Sequence, residues 1–164
     1  QWRTTPYATD WNGDGLTDLV MLDHEGYLSF FERFEKDVEW LLAPGKRIFS
    51  GTDRDRAGKK IDEGNPLLRM SSRTAGGSGR RKFCIVDWNG DGRDDLITNS
   101  ITANLLLNTG TKNGVTTFDF EKSLDAHPLA GHTTSPTTVD WDKNGIPDLL
   151  IGAEDGHFYY FQHP

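Results

Sequence analysis

With one cysteine in 164 residues, no intrachain disulfide can hold this chain together. Cys84 lies in the run Phe83-Cys84-Ile85-Val86, where a small buried apolar residue is expected rather than a reactive thiol. No apolar run is long enough to cross a bilayer, and no retained targeting segment is evident. The sequence contains no nucleophile elbow, no zinc-spaced His/Cys set and no phosphate-cradling loop, so it offers no hydrolase triad, zinc-enzyme or nucleotide signature. Basic residues are outnumbered, 18 against 25 acidic ones, for a net charge of −7. Most of them fall in one glycine-rich stretch, which makes a nucleic-acid partner a poor fit. Hydrophobic content is only 35%, alongside 18 glycines, a composition suited to short strands joined by many turns.

What is present is a ladder of carboxylates, repeated. It reads Asp10-Trp11-Asn12-Gly13-Asp14-Gly15-Leu16-Thr17-Asp18, then Asp87-Trp88-Asn89-Gly90-Asp91-Gly92-Arg93-Asp94-Asp95, then Asp140-Trp141-Asp142-Lys143-Asn144-Gly145-Ile146-Pro147-Asp148. Oxygen-bearing side chains stand at positions 1, 3, 5 and 9, glycine at position 6, and an apolar pair follows each copy.

Calcium takes six to eight oxygens at about 2.3–2.6 Å, and alternate positions of a tight loop can point such oxygens inward. The first copy offers Asp10, Asn12, Asp14 and Asp18, with the carbonyl of Leu16. The second offers Asp87, Asn89, Asp91 and Asp95, with the carbonyl of Arg93. The third offers Asp140, Asp142, Asn144 and Asp148, with the carbonyl of Ile146. Each set carries three carboxylates, because Asp and Asn exchange positions 3 and 5 in the third copy. Converging carboxylates repel one another unless something positive lies between them, so the spacing predicts three Ca²⁺ sites. The competing reading is three Asx-turns that close hairpins without metal.

An EF-hand or dockerin loop shares positions 1 to 9 but then requires a bidentate acid at position 12 and a helix. Position 12 here is Met21, Thr98 or Ile151, and strand-like runs follow instead. Aromatic and β-branched segments split by Glu25-Gly26 or Asp155-Gly156 read as β-hairpins. The pattern Asp-Trp-Asn-Gly-Asp-Gly-x-x-Asp-Leu between a short strand and a hairpin resembles the FG-GAP/VCBS repeat of calcium-binding β-propellers. That resemblance covers all three copies. It implies an all-β fold of about three four-stranded antiparallel blades within a larger ring, seven-bladed in one reading. Trp11, Trp88 and Trp141 recur at position 2, which suits packing between blades.

The expected layout is blade one over 1–50, a basic Gly/Ser-rich insertion loop over 51–81, blade two and its connector over 82–135, and an incomplete blade three over 136–164. Blade one is expected to use strands near 6–9, 18–23 and 27–34, with an outer strand near 46–49. Copies start 77 and then 53 residues apart, which places the insertion in the first gap. Propellers close with four to eight blades, so the remaining blades are expected from the parent chain or from neighbouring copies.

Charge is segregated. Residues 46–82 hold eleven basic and four acidic side chains, a balance of +7 that leaves −14 elsewhere; three Ca²⁺ would bring the total of −7 near −1. Blade topology sends this segment, the second-to-third strand turns and the connector with His127 and His132 to the end away from the carboxylate loops. A basic, histidine-bearing rim suits an acidic polysaccharide, with His24, Arg80, Arg81 and His132 as candidate contacts. Trp2 and Trp40, which do not recur, are candidate sugar-stacking or core residues.

The resemblance extends to propeller-fold polysaccharide lyases and glycosidases and to integrin-like heads. In such lyases a His or Tyr pair removes the proton beside a uronate carboxylate while an Arg neutralises that carboxylate. No catalytic motif of theirs maps onto this chain residue by residue, so no catalytic residue is assigned and the active site is expected outside this segment if there is one. Two classes remain: a calcium-stabilised part of a secreted carbohydrate-active protein that acts on or binds an acidic polysaccharide, and a non-catalytic adhesion module. Modules of this kind work where calcium is plentiful, so an extracellular, periplasmic or cell-surface location is expected.

Overall fold

The computed structural model describes residues 5–55, 58–71, 81–124, 128–129 and 134–163. Among them there is no helix, and none of the sheets is closed. The strands are β1 (Tyr7–Thr9), β2 (Asp18–Leu22), β3 (Leu28–Phe31), β4 (Arg33–Lys36), β5 (Glu39–Leu42), β6 (Phe49–Gly51), β7 (Phe83–Val86), β8 (Asp95–Asn99), β9 (Ala103–Lys112), β10 (Val115–Ser123), β11 (Ser135–Val139), β12 (Asp148–Gly152) and β13 (Phe158–Phe161).

Each carboxylate ladder joins the first two strands of an antiparallel sheet. Sheet one runs β1-β2-β3, sheet three runs β11-β12-β13, and sheet two runs β7-β8-β9-β10 with β6 added at its outer edge. The apolar pair after each ladder starts the middle strand, where period-two alternation sets which face is buried. In β2 the alternation puts Val20 and Leu22 inside. In β8 every residue is buried, because sheet two is covered on both faces.

Two apolar clusters follow from that layering. One, between sheets one and two, gathers Val20, Leu28, Phe30, Phe49, Leu96, Leu106 and Phe118. The other, between sheets two and three, gathers Cys84, Trp88, Ile97, Leu105, Leu149 and Ile151. Each fully buried large side chain contributes about 1.5–3 kcal/mol relative to exposure. Burial also pushes the Cys84 thiol up to about 12, so it is an inert core residue. The first strands lie together: β11 against β7 and β1 against β7, with the Tyr7 hydroxyl donating to the Ile85 carbonyl at 2.8 Å.

Three features depart from the expected layout. The strand expected near 46–49 on blade one is instead β6, which pairs in parallel with β10 of sheet two; only Lys46 bridges back, to Phe30. The strand expected over 27–34 breaks between β3 and β4, where the Arg33 N–H leaves the ladder to donate to Asp18. The basic stretch is also more than a loop. Leu68 and Met70 are fully buried, and residues 66–70 lie between β3 and β6, with Leu28 N–H donating to Leu68 O and Leu68 N–H to Phe49 O. Gly51 lets β6 lie close against β10: its φ is +128°, and a Cβ there would run into the Phe118 carbonyl.

Candidate metal loops

The three ladders adopt one hydrogen-bonding frame. At position 1, Asp10 accepts from the N–H groups of Gly13 (2.8 Å), Asp14 (3.1 Å) and Gly15 (2.8 Å). Asp87 accepts from Asp91 and Gly92 at 3.1 and 2.9 Å, and Asp140 from Asn144 and Gly145 at 3.0 and 3.1 Å. Consecutive N–H groups closing on one anionic side chain form an Asx-type nest. The nest fixes the loop's curvature, which places positions 3 and 5 side by side. Position 3 then accepts from the position 5 N–H at 3.1 Å in all three loops.

Position 9 does a different task. Asp18, Asp95 and Asp148 are fully buried. One oxygen of each accepts from the main-chain N–H of the tryptophan at position 2, at 3.1 Å every time. The other accepts, at 2.8 Å, from an N–H just beyond the sheet's third pairing segment: Arg33, Asn108 and His163 respectively. This carboxylate therefore closes the loop and pins it to the strand two places away.

The environments of these acids diverge. Burial raises the Asp95 carboxyl, opposed by the Asn108 and Trp88 N–H groups. The His163 N–H is the chief cause that holds Asp148 below the usual carboxylate range. Asp94 is raised, mainly by burial and then by the neighbouring Asp87 charge. In loop three the oxygens of Asp140, Asp142 and Asp148 converge, all within 4.8 Å of one another. It is the one such group of three among the described residues, because this copy carries Asp at position 3. Asp142 also accepts from Gln162 Nε2 at 2.7 Å. In loop two the Arg93 guanidinium, anchored by the Asn108 carbonyl at 2.9 Å, pairs with Asp91 at 2.6 Å and supplies a positive charge from within the chain.

The donor chemistry fits a hard cation. The ladder positions offer carboxylate and amide oxygens without sulfur or imidazole, and loop three brings three anionic oxygens within 4.8 Å of one another. For Leu16, Arg93 and Ile146, expected to contribute carbonyls, the structure shows their N–H groups donating to position 5 at 2.8, 2.9 and 2.7 Å.

Position 4 was not singled out from the sequence. Gly13 and Gly90 have φ of +75° and +73°, and Lys143 takes the same left-handed turn at +62°. The signal was present as a second glycine in copies one and two.

Of the four candidate substrate contacts, His24 and Arg81 lie among the described residues, in different surroundings. His24 is exposed on the β2–β3 turn and lines a surface concavity of about 700 Å³ with Met21, Phe31, Gly45 and Arg47. Arg81 belongs elsewhere: it neutralises the fully buried Asp53 and donates to the Asn99 carbonyl at 2.6 Å, so its role here is structural. Arg80, His127, His132 and Trp2 lie outside the described residues. Trp40 is neither core nor stacked in a cleft; it stands half-exposed on β5 with Arg33 over its ring at 4.5 Å. Arg47 pairs with Asp23 and Glu25, and Arg69 with Asp62, so much of the basic segment is spent on internal carboxylates.

No helix among the described residues is long and apolar enough to cross a membrane. Comparisons with curated proteins and with solved structures give no match. Residues 87–151, from the first residue of loop two through the middle of β12 and so including all of loop three, match the FG-GAP-like repeat.

Proposed function

We propose that this chain is a propeller-like binding module whose three loops are stapled by Ca²⁺. The observation that carries the reading is the shared loop frame, in which position 1 curls the loop and position 9 locks it, leaving the oxygens of positions 1, 3 and 5 at an open rim. A bound divalent cation would neutralise the acidic ladders and cross-link each first-to-second strand turn. The residues to hold it are Asp10, Asn12, Asp14 and Asp18, with their counterparts in loops two and three. The sheets are then blades, with β1, β7 and β11 innermost, and further blades come from the parent chain or from neighbouring copies. An extracellular, periplasmic or cell-surface setting supplies the calcium.

Melting temperature tests this. It should fall with EGTA and recover with Ca²⁺ but not with equal Mg²⁺, which demands smaller octahedral sites. A melt indifferent to chelator and to calcium contradicts it.

An acidic polysaccharide is the partner that the charge of residues 46–82 would favour. Within it, Lys59 and Lys60 are exposed, and Lys60 lines a shallow pocket with Arg54. Retention of the chain on a uronate polymer, lost at high salt and reduced by Lys59→Ala/Lys60→Ala, supports that partner; equal retention on neutral glycans removes it.

A further inference from the structure

The position 2 tryptophans behave differently in the three loops, and the difference follows chain order. Trp11 of loop one reaches forward onto sheet two, edge-on to Phe49 at 5.0 Å and 6.4 Å from Phe118. Trp88 of loop two reaches forward onto sheet three, where its ring lies flat on His163 at 4.1 Å and is only 9% exposed. Among the described residues Trp141 of loop three makes its aromatic contact only with its own sheet's Tyr160, at 6.3 Å, and it is 64% exposed. At the loop end of the same sheet Val139, Ile146 and Tyr160 are also exposed. Loop three thus presents the forward half of a contact that the molecule builds twice internally.

The receiving half can be located by hydrogen bonding. Arg33, Asn108 and His163 are equivalent, since each donates its N–H to the position 9 carboxylate of its own sheet at 2.8 Å. Register extends the match: Asn108 pairs across with Phe118, and Arg33 pairs across with Leu42. The two hairpins even turn alike, through two left-handed residues, Asn113-Gly114 and Asp37-Val38. In sheet two the receiving residues Phe118 and Thr116 are buried under the neighbouring loop, beside Trp11. In the separate two-stranded β4–β5 sheet that follows sheet one, their counterparts Leu42 and Trp40 are 48% and 51% exposed. Arg33, in the place where His163 stacks on Trp88, is a cation suited both to an aromatic face and to the acidic loop that carries Trp141.

We infer that the β4–β5 hairpin and loop three are the two halves of one interface, and that a second copy of this chain fills each: Trp141 of one copy seats on Arg33, Trp40 and Leu42 of the other. The contact is head-to-tail. Such contacts either close into a ring or run open. At three blades per chain two copies give six blades, within the four to eight of closed propellers, whereas three copies give nine. The inference rests on the blade reading above, and it assigns the neighbour and the residues that meet it.

Light scattering on the calcium-loaded chain tests it. Wild type should have twice the 18.4 kDa monomer mass, and Trp141→Ala and Leu42→Asp should each lower self-association at least tenfold. Both residues are exposed in the monomer, so both variants should fold and keep their cooperative melt. Mixing the two variants should restore pairing in part, because Trp141 of the Leu42→Asp copy still meets an intact Leu42 on the Trp141→Ala copy. A wild-type monomer at about 100 µM, any mass other than two copies, pairing that survives both substitutions, or a mixture no better than either variant overturns the inference. Calcium uptake measured on the same samples separates the two proposals: lost pairing with normal uptake fails only the interface, and pairing without uptake fails only the metal reading.

Discussion

Loops two and three carry the same nine-position ladder, yet one is built into the molecule and the other faces outward. In loop two the tryptophan is buried against His163 and an arginine of the chain neutralises Asp91. In loop three the tryptophan is exposed, and three carboxylates lie within 4.8 Å of one another with no ion pair to them among the described residues. What stays constant is the frame: the position 1 nest and the position 9 lock, both made of hydrogen bonds that require no metal. What varies is position 2's partner, the acid at position 3 and the side chain at position 7. The frame sets the shape of the loop, and the variable positions set its charge and what it packs against.

The largest expected effect concerns packing. Trp88→Ala should destabilise the chain by about 3–5 kcal/mol in a urea titration, the range for emptying a buried aromatic site. Trp141→Ala should leave the monomer within about 0.5 kcal/mol of wild type, as exposed substitutions do. Equal losses at the two sites would break the comparison.

Next comes the lock. Asp95→Ala, measured in chelator so that metal plays no part, should cost about 2–4 kcal/mol, because it leaves the Trp88 and Asn108 N–H groups without their acceptor. Asp148→Ala removes the same pair of bonds at Trp141 and His163 and should fall in the same range. A loss below about 0.5 kcal/mol at both would mean that position 9 serves the metal alone.

How far all this was legible in the sequence differs by residue. The ladders, the strands on either side and the burial of Cys84 were legible, because side-chain chemistry at fixed spacing and period-two alternation are local signals. The destination of β6 was not: three residues, Phe49–Gly51, hold no information on which sheet's edge is free. The buried Leu68 and Met70 were masked by a charged neighbourhood, although Leu67-Leu68-Arg69-Met70 is its one apolar run. Arg81 looked like a surface cation because its partner, the buried Asp53, lies 28 residues away in sequence. Lys143 hid the position 4 turn, since nothing in a lysine announces a positive φ.

That lysine gives a smaller prediction. Lys143→Gly should make loop three resemble loop two and stabilise the chain by about 1 kcal/mol, by relieving a left-handed backbone at φ +62° that glycine adopts freely. The corresponding Gly90→Lys should destabilise by a similar amount, read as opposite shifts in the urea midpoint.

The smallest expected change is in loop two's charge. Arg93 holds Asp91 by a half-exposed ion pair, a contact worth at most about 1 kcal/mol. Arg93→Ala should therefore raise that loop's calcium affinity by up to about fivefold, while Asp142→Asn, which removes a carboxylate from loop three, should lower affinity there. Unchanged affinity in both would show that charge at the variable positions is irrelevant.

The central claim is that the three ladders are cation sites, and a calorimetric titration of calcium into the metal-stripped, folded chain tests it most directly. The account predicts three Ca²⁺ per chain, with one site lost in Asp140→Ala/Asp142→Ala and the folded baseline preserved by circular dichroism. No calcium uptake by the folded wild type, or full uptake by that double variant, would contradict it and leave the loops as hydrogen-bonded turns.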